Sequence, residues 1–152
     1  MENFKLLVNT ISYQIFTDGS CRANKRGGIG IVWLKNGEKV YEYSKGYDNV
    51  TNNLMELLAI GKALASIKKP IYSLTIISDS EYALGCIFNL EWHPKKNVEL
   101  INKIKKQLSK TQQLVETPIQ YRHTRGHQKD NSDDTKWNNL CDKLAQQCSQ
   151  TL

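Results

Sequence analysis

Long apolar runs are missing from this sequence. The stretch Phe4–Val8 is short and broken by Lys5, which excludes a signal peptide or a membrane span there, and no other run approaches bilayer length. Cysteine is sparse, at four residues, and no two of Cys21, Cys86, Cys141 and Cys148 form a Cys-x-x-Cys pair. That spacing excludes a zinc knuckle and a thioredoxin-type motif. Cys141 and Cys148 lie seven apart on one helical face, with Leu140, Leu144 and Ala145, and read as buried thiols in a reducing compartment. Proline is scarce too: Pro70, Pro94 and Pro118 each fall between periodic segments. No repeat and no low-complexity tract is present. At 39% hydrophobic and 24% charged, the chain is too apolar for wholesale disorder. These absences point to a soluble, cytoplasmic protein without membrane contact, expected to work as a monomer.

What is present begins with charge. Twenty-one Lys and Arg stand against 15 Asp and Glu, a formal net charge of +6 over 152 residues, with a pI near 9.1. A basic protein of this size is drawn to polyanions. The length suits one domain with its own core. Residues 13–150 are expected to form it, with residues 1–12 as an N-terminal extension too short for a separate substrate-binding domain.

The chain reads β-β-β-α-β-α-α-β-α. Tyr13–Thr17 is a β-type run ending at Asp18-Gly19-Ser20. Gly27-Gly28 opens an apolar strand through Leu34. Asn36-Gly37 is a two-residue hairpin turn, and Lys39–Lys45 alternates in strand fashion. Apolar residues from Leu54 to Ile67 recur at helical spacing, with Thr51 or Asn52 as the cap. Leu74–Ile77 is all β-type and suits a strand buried on both faces. A helix from Glu81 to Leu90 follows, then one from Val98 to Leu108, then a strand at Ile119–His123. Thr124–Lys136 reads as a polar loop and Trp137–Cys148 as the last helix. Antiparallel strands followed by helix-linked strands predict an α/β fold with a mixed sheet and helices on both faces. Ligands gather at the carboxyl ends of parallel strands in such sheets. Asp18 and Asp79 would meet there if their strands are parallel neighbours.

Four acids stand out. Taken singly, Asp18 reads as a turn former and Asp79 as a helix cap. Glu56 differs, because it sits one turn into an apolar helix with no Lys or Arg three or four residues away. A carboxylate so placed is costly unless something else neutralises it. Asp142 lies near Leu140 and Leu144, and reads either as a helix N-terminal acid or as a fourth member of the set.

Four ordered blocks carry a family resemblance. Thr17-Asp18-Gly19-Ser20-Cys21, with Asn24 and Gly27-Gly28-Ile29-Gly30, resembles the opening of type 1 ribonuclease H. Thr51-Asn52-Asn53-Leu54-Met55-Glu56-Leu57 resembles its second signature and Ser78-Asp79-Ser80-Glu81-Tyr82 its third. Gly126-His127, then Asn138 and Cys141-Asp142-Lys143-Leu144-Ala145, resembles the last. The blocks keep the family's order and span Thr17 to Ala145. A single Asp-Gly-Ser carries no information, whereas four blocks in order are specific.

The resemblance implies a mixed five-stranded ribonuclease H-like sheet and an endonuclease that hydrolyses the RNA strand of RNA–DNA hybrids, leaving 5′-phosphate and 3′-hydroxyl ends. It implies two Mg²⁺ ions, with Mn²⁺ as an acceptable substitute, held by Asp18, Glu56, Asp79 and Asp142. Asp18 would bridge the ions, Glu56 and Asp79 would attend the leaving-group side, and Asp142 the nucleophile side. Clustered carboxylates repel one another, and hard cations relieve that repulsion. His127 matches a histidine linked to product release or proton transfer. It precedes Asp142 by fifteen positions, an interval longer than in typical members. The residues matching readers of the RNA 2′-hydroxyl are Asn24, Asn52 and Asn53, with Ser20, Cys21 and Ser80 beside them. Thr51 matches a holder of a DNA-strand phosphate. The 2′-hydroxyl is what distinguishes RNA from DNA.

Two positions depart from the family pattern. Glu81 stands where a neutral side chain is expected and would weaken an RNA contact unless it points away. Leu90–Lys96 occupies the place of a basic helical protrusion, which is missing. Trp92 is read as a DNA-sugar contact or as ordinary packing. Lys95, Lys96, Lys103 and Lys106 are read as phosphate contacts or as a solvated face. Two other functions share parts of the pattern: a nuclease-fold binder without catalysis, and a polynucleotidyl transferase. The intact set of acids argues against the first. The asparagines and the Asn53–Glu56 spacing argue against the second.

Overall fold

The computed structural model describes residues 10–125 and 132–150. The strands are β1 (Ser12–Cys21), β2 (Gly27–Lys35), β3 (Glu38–Tyr47), β4 (Ser73–Ser78) and β5 (Gln120–His123). The helices are α1 (Asn52–Ala65), α2 (Glu81–Phe88), α3 (Val98–Gln112) and α4 (Asp133–Gln150). The element order is the one expected. The five strands lie in the order β3-β2-β1-β4-β5. The pairs β1–β2 and β2–β3 are antiparallel, and β1–β4 and β4–β5 are parallel. The sheet is therefore mixed, as the chain order predicts.

Local chemistry accounts for the boundaries. Asn36 and Gly37 take φ of 50° and 88°, the left-handed geometry that a tight turn joining twisted strands requires. Thr51 caps α1, its hydroxyl accepting from Leu54 N–H at 3.2 Å. Two boundaries near the site differ from expectation. β1 runs on through Asp18-Gly19-Ser20 to Cys21, paired with β2, so Asp18 is a strand residue and not a turn former. The segment read as loop up to Lys136 is helical from Asp133. Ser132 Oγ accepts from Thr135 N–H at 3.2 Å, and Asp133 and Asp134 sit where the helix dipole favours acids. A polar, capped first turn carries no apolar periodicity, so the pattern alone misses it.

Side chains alternate across the sheet, as strand geometry requires. Ile15, Ile29, Ile31, Trp33, Leu74 and Ile76 face a large core shared with α1, α2 and α3. Phe16, Val32, Leu34 and Ile77 face the opposite way, onto Cys141 and Leu144 of α4. β4 lies inside the sheet between β1 and β5 and is largely buried on both faces, as its composition suggests. Cys86 and Cys141 are buried, whereas Cys21 and Cys148 are only half-buried; all four are free thiols.

The connection from α2 to α3 is short. Trp92 folds back over it, edge-on to Tyr82 with ring centroids 5.7 Å apart, and its ring fills the space a side chain on Gly85 would need. The ring is 38% exposed. No helix among the described residues is long and apolar enough to cross a membrane. The extension expected over residues 1–12 falls largely outside the described residues.

Candidate active site

Parallel pairing brings the first two acids together. The parallel ladder between β1 and β4 ends at Thr17 and Ser78, so the next residues, Asp18 (still paired with Gly30 of β2) and Asp79 (just past β4), come side by side. Asp79 does not cap α2. That role falls to Ser80, whose Oγ accepts from Ala83 N–H at 3.0 Å. Glu56 arrives from α1, and Gly19 is what lets it come so close. A Cβ on Gly19 would overlap the backbone of Met55 and Glu56. The Gly19 N–H donates to Glu56 Oε1 at 2.5 Å and to Asp18 Oδ1 at 2.9 Å.

Asp18, Glu56 and Asp79 each offer a carboxylate oxygen, and these atoms lie within 4.8 Å of one another. Asp142 flanks Asp18 from the α4 side. Its charge contributes to raising the Asp18 pKa, and its carboxylate accepts two hydrogen bonds from Gln146 Nε2 at 3.0 and 3.1 Å. Asp142 lies nine positions into α4, so its reading as a helix N-terminal acid fails. The helix begins earlier than its apolar pattern does.

The electrostatics follow from burial. Asp18 is 3% exposed. Its pKa is pushed up from 3.8 to about 8, first by desolvation, then by the Asp79 charge. Glu56 is also raised well above the usual range, by burial first and then by Asp18 and Asp79. At neutral pH this cluster therefore holds protons unless a cation supplies the missing positive charge. The donors are hard oxygens in a compact group, the set that suits a divalent cation such as Mg²⁺ or Mn²⁺. The residues fit such a metal.

The residues expected to touch substrate lie on the end of β1, in the β1–β2 turn and at the starts of α1 and α2. Ser20 follows the cluster on β1, and its Oγ is buried with no hydrogen-bond partner in the structure. Cys21 Sγ donates to Val50 O at 3.1 Å. Asn24 stands in the β1–β2 turn, its Oδ1 accepting from Arg26 N–H at 3.0 Å. Thr51, Asn52 and Asn53 are exposed at the start of α1, whose first turn carries no acid. His127 lies outside the described residues. Lys95, Lys96, Lys103 and Lys106 are exposed.

His123 was not singled out by its sequence context. It ends β5 beside Ser78, and its Nε2 lies 3.2 Å from the Asp79 carbonyl. That contact fixes Nε2 as the protonated nitrogen, because a carbonyl can only accept. Glu81 points outward, 3.9 Å from His123 Nδ1. Only the β4–β5 pairing reveals this neighbour; no local signal could.

Comparison with known proteins bears on the whole described chain. The family model for RNase H matches residues 11–150. A Ribonuclease H of Clostridium botulinum (strain Hall) is 36% identical over 149 residues, spanning 86% of this chain and 91% of that protein. A Ribonuclease H of Mannheimia succiniciproducens is 38% identical over 144 residues, spanning 88% and 85%. Among solved structures, RNase H1 from the halophilic archaeon Halobacterium salinarum superposes with a TM-score of 0.69 at 18% identity, over 90% of this chain and 96% of that one. The protease–reverse transcriptase of prototype foamy virus superposes at 0.73 and 24% identity, over 95% of this chain and 22% of that one. These two likenesses concern the fold.

Proposed function

The chain belongs to the ribonuclease H family, and from that membership we propose that it hydrolyses the RNA strand of RNA–DNA hybrids at the carboxylate cluster, leaving 5′-phosphate and 3′-hydroxyl ends. The observation that carries this reading is the packing of carboxylate oxygens of Asp18, Glu56 and Asp79 within 4.8 Å at the carboxyl end of the parallel β1–β4 ladder. An acid cluster with such raised proton affinity is unstable in its ionised form without cations.

Two Mg²⁺ ions are the proposed occupants, and they would supply a water of lowered pKa and charge relief on the departing oxygen. The protein's own residues do the rest. Asp18, whose pKa is raised by both Asp79 and Asp142, is proposed to serve both ions. Glu56 and Asp79 are proposed to attend the leaving-group side and Asp142 the nucleophile side. Gly19 N–H holds the Asp18 and Glu56 carboxylates in fixed relation, so little reorganisation is needed on loading. Ser20, Cys21, Asn24, Asn52, Asn53 and Ser80 are the proposed contacts to the RNA strand. The amides among them can both donate to and accept from a 2′-hydroxyl without repelling phosphate. Thr51, at the uncharged N-terminus of α1, is the proposed DNA-phosphate contact. His127 is proposed to assist proton transfer or product release. Residues 13–150 are proposed as the catalytic unit, acting as a monomer in the cytoplasm.

The test is cleavage of end-labelled RNA–DNA, DNA–DNA and RNA–RNA duplexes by wild type and Asp18→Asn, with Mg²⁺ titrated and EDTA as control. The expected result is metal-dependent cutting of the hybrid's RNA strand alone, abolished by the substitution, with ligatable 5′-phosphate ends. Cutting of all three duplexes, or metal-independent cutting, refutes the reading.

A further inference from the structure

A well-formed groove among the described residues lies far from the carboxylates. It is about 630 Å³ in volume, at the amino end of β1 and the carboxyl end of β2. Tyr13 lines it, and Tyr13 precedes Asp18 by five residues on the same strand, which is about 16 Å of strand rise. An occupant here would leave the catalytic end of the sheet open.

The walls are apolar. Trp33 and Tyr41 pack at 5.1 Å between ring centroids and form one side, extended by Val40. Ile67, Pro70 and Ile71, from the α1–β4 connection, form the other. Trp33 is almost fully buried and its Nε1–H is satisfied by Ser66 Oγ at 2.8 Å, so the floor is preformed. Val40 and Tyr41 are 52% and 59% exposed, which is unusual for large apolar side chains on a sheet's edge strand.

Three lysines rim this apolar floor. Lys35, Lys68 and Lys69 are exposed, and none forms an ion pair among the described residues, although Lys35 stands opposite Glu38 in the β2–β3 register. An apolar slot under three unpaired ammonium groups calls for an occupant with the reverse pattern. We propose that this groove binds an acidic peptide segment of another protein, seating an aromatic or branched aliphatic side chain against Tyr41 and Trp33 while neighbouring carboxylates meet Lys35, Lys68 and Lys69. A nucleobase fits less well. Ile67, Pro70, Ile71 and Val40 present nothing to pair with base edges. The groove would tether the enzyme to a partner while its substrate end stays free. The inference is independent of the catalytic reading.

Fluorescence anisotropy tests it with the full chain and a labelled ten-residue peptide of glycine and glutamate carrying one central phenylalanine. Micromolar binding that weakens with salt is expected, falling at least about tenfold in a Lys35→Glu, Lys68→Glu, Lys69→Glu variant. A similar loss is expected when the phenylalanine becomes serine. The lysine variant should keep hybrid cleavage within about twofold and melt at the wild-type temperature, because all three side chains are exposed; Lys→Gln versions should bind with intermediate affinity. Equal binding by wild type and the lysine variant overturns the proposal. So does tighter, lysine-dependent binding of a single-stranded oligonucleotide, which would assign the groove to nucleic acid. Peptide binding seen only after residues 1–9 are deleted would assign it to the chain's own N-terminus. Lysine-dependent self-association in sedimentation would assign it to a second copy.

Discussion

The two faces of the sheet bring their acids to the same point by different means. On the α1 face, a large apolar core of Leu57, Ile60 and Leu64 against Ile15, Ile31 and Ile76 holds the helix at ordinary packing distance. One glycine, Gly19, admits its N-terminal turn and Glu56. On the α4 face the core is small, and two glycines do more of the positioning. A Cβ on Gly28 would overlap the Ala145 carbonyl, and one on Gly30 the Cys141 carbonyl. The backbone of α4 therefore lies directly on β2, with Gly30 beside Asp18 in register and Asp142 next to Cys141 on the helix. One face positions its acid by side-chain volume and the other by the absence of it. The first should tolerate repacking, while the second should not.

The largest effect tests what both faces converge on. Asp18→Asn should lower hybrid cleavage by about three orders of magnitude or more, measured in single-turnover assays with saturating metal. The same substitution should raise the melting temperature of the metal-free protein at neutral pH, because it removes an acid that folding must protonate. Lost activity with lost stability would mean that Asp18 is structural.

The pH dependence sharpens this. The folded-state pKa of Asp18 lies near 8 against an unfolded value near 3.8. The native state therefore holds this proton more tightly than the unfolded chain does. The associated stability is complete below about pH 3.8 and is lost as pH rises towards about 8. In EDTA, the melting temperature should fall across that window in wild type and fall less in Asp18→Asn. Mg²⁺ should restore it at the alkaline end. A wild-type slope that matches the variant's would remove Asp18 as its source.

The glycines separate the two faces. Gly30→Ala should cost about 1–3 kcal/mol of stability in urea melts, because it drives a methyl group into helix backbone that cannot step aside. Leu57→Met on the α1 face should cost less, under about 1.5 kcal/mol, because a core of flexible side chains can adjust. Equal costs would break the contrast. The smallest effect belongs to the start of α4: Ser132→Ala removes the cap on Thr135 N–H and should cost about 1 kcal/mol, again by urea melt.

Local chemistry made much of this legible. The β-type runs before Asp18 and Asp79, the Asn36-Gly37 turn and the Thr51 cap each write their geometry into a few neighbouring residues. Glu56 was legible by what it lacked, a cation one turn away. Asp142 was misleading as a helix-start acid, because the first turns of α4 are polar and show no periodicity. His123 was hidden, since its approach to Asp79 depends on pairing between strands that are distant in the chain. Gly28 and Gly30 were visible as a motif, but their contact with α4 depends on packing. The groove was invisible because four separate segments build it.

The seat of Trp92 on Gly85 has a consequence for how such enzymes vary. The ring pins the short passage between α2 and α3 onto Gly85 and Tyr82 of α2. The passage is a natural socket. Residues could be added there to change how the molecule grips a duplex, with no disturbance reaching the frame that carries the carboxylates.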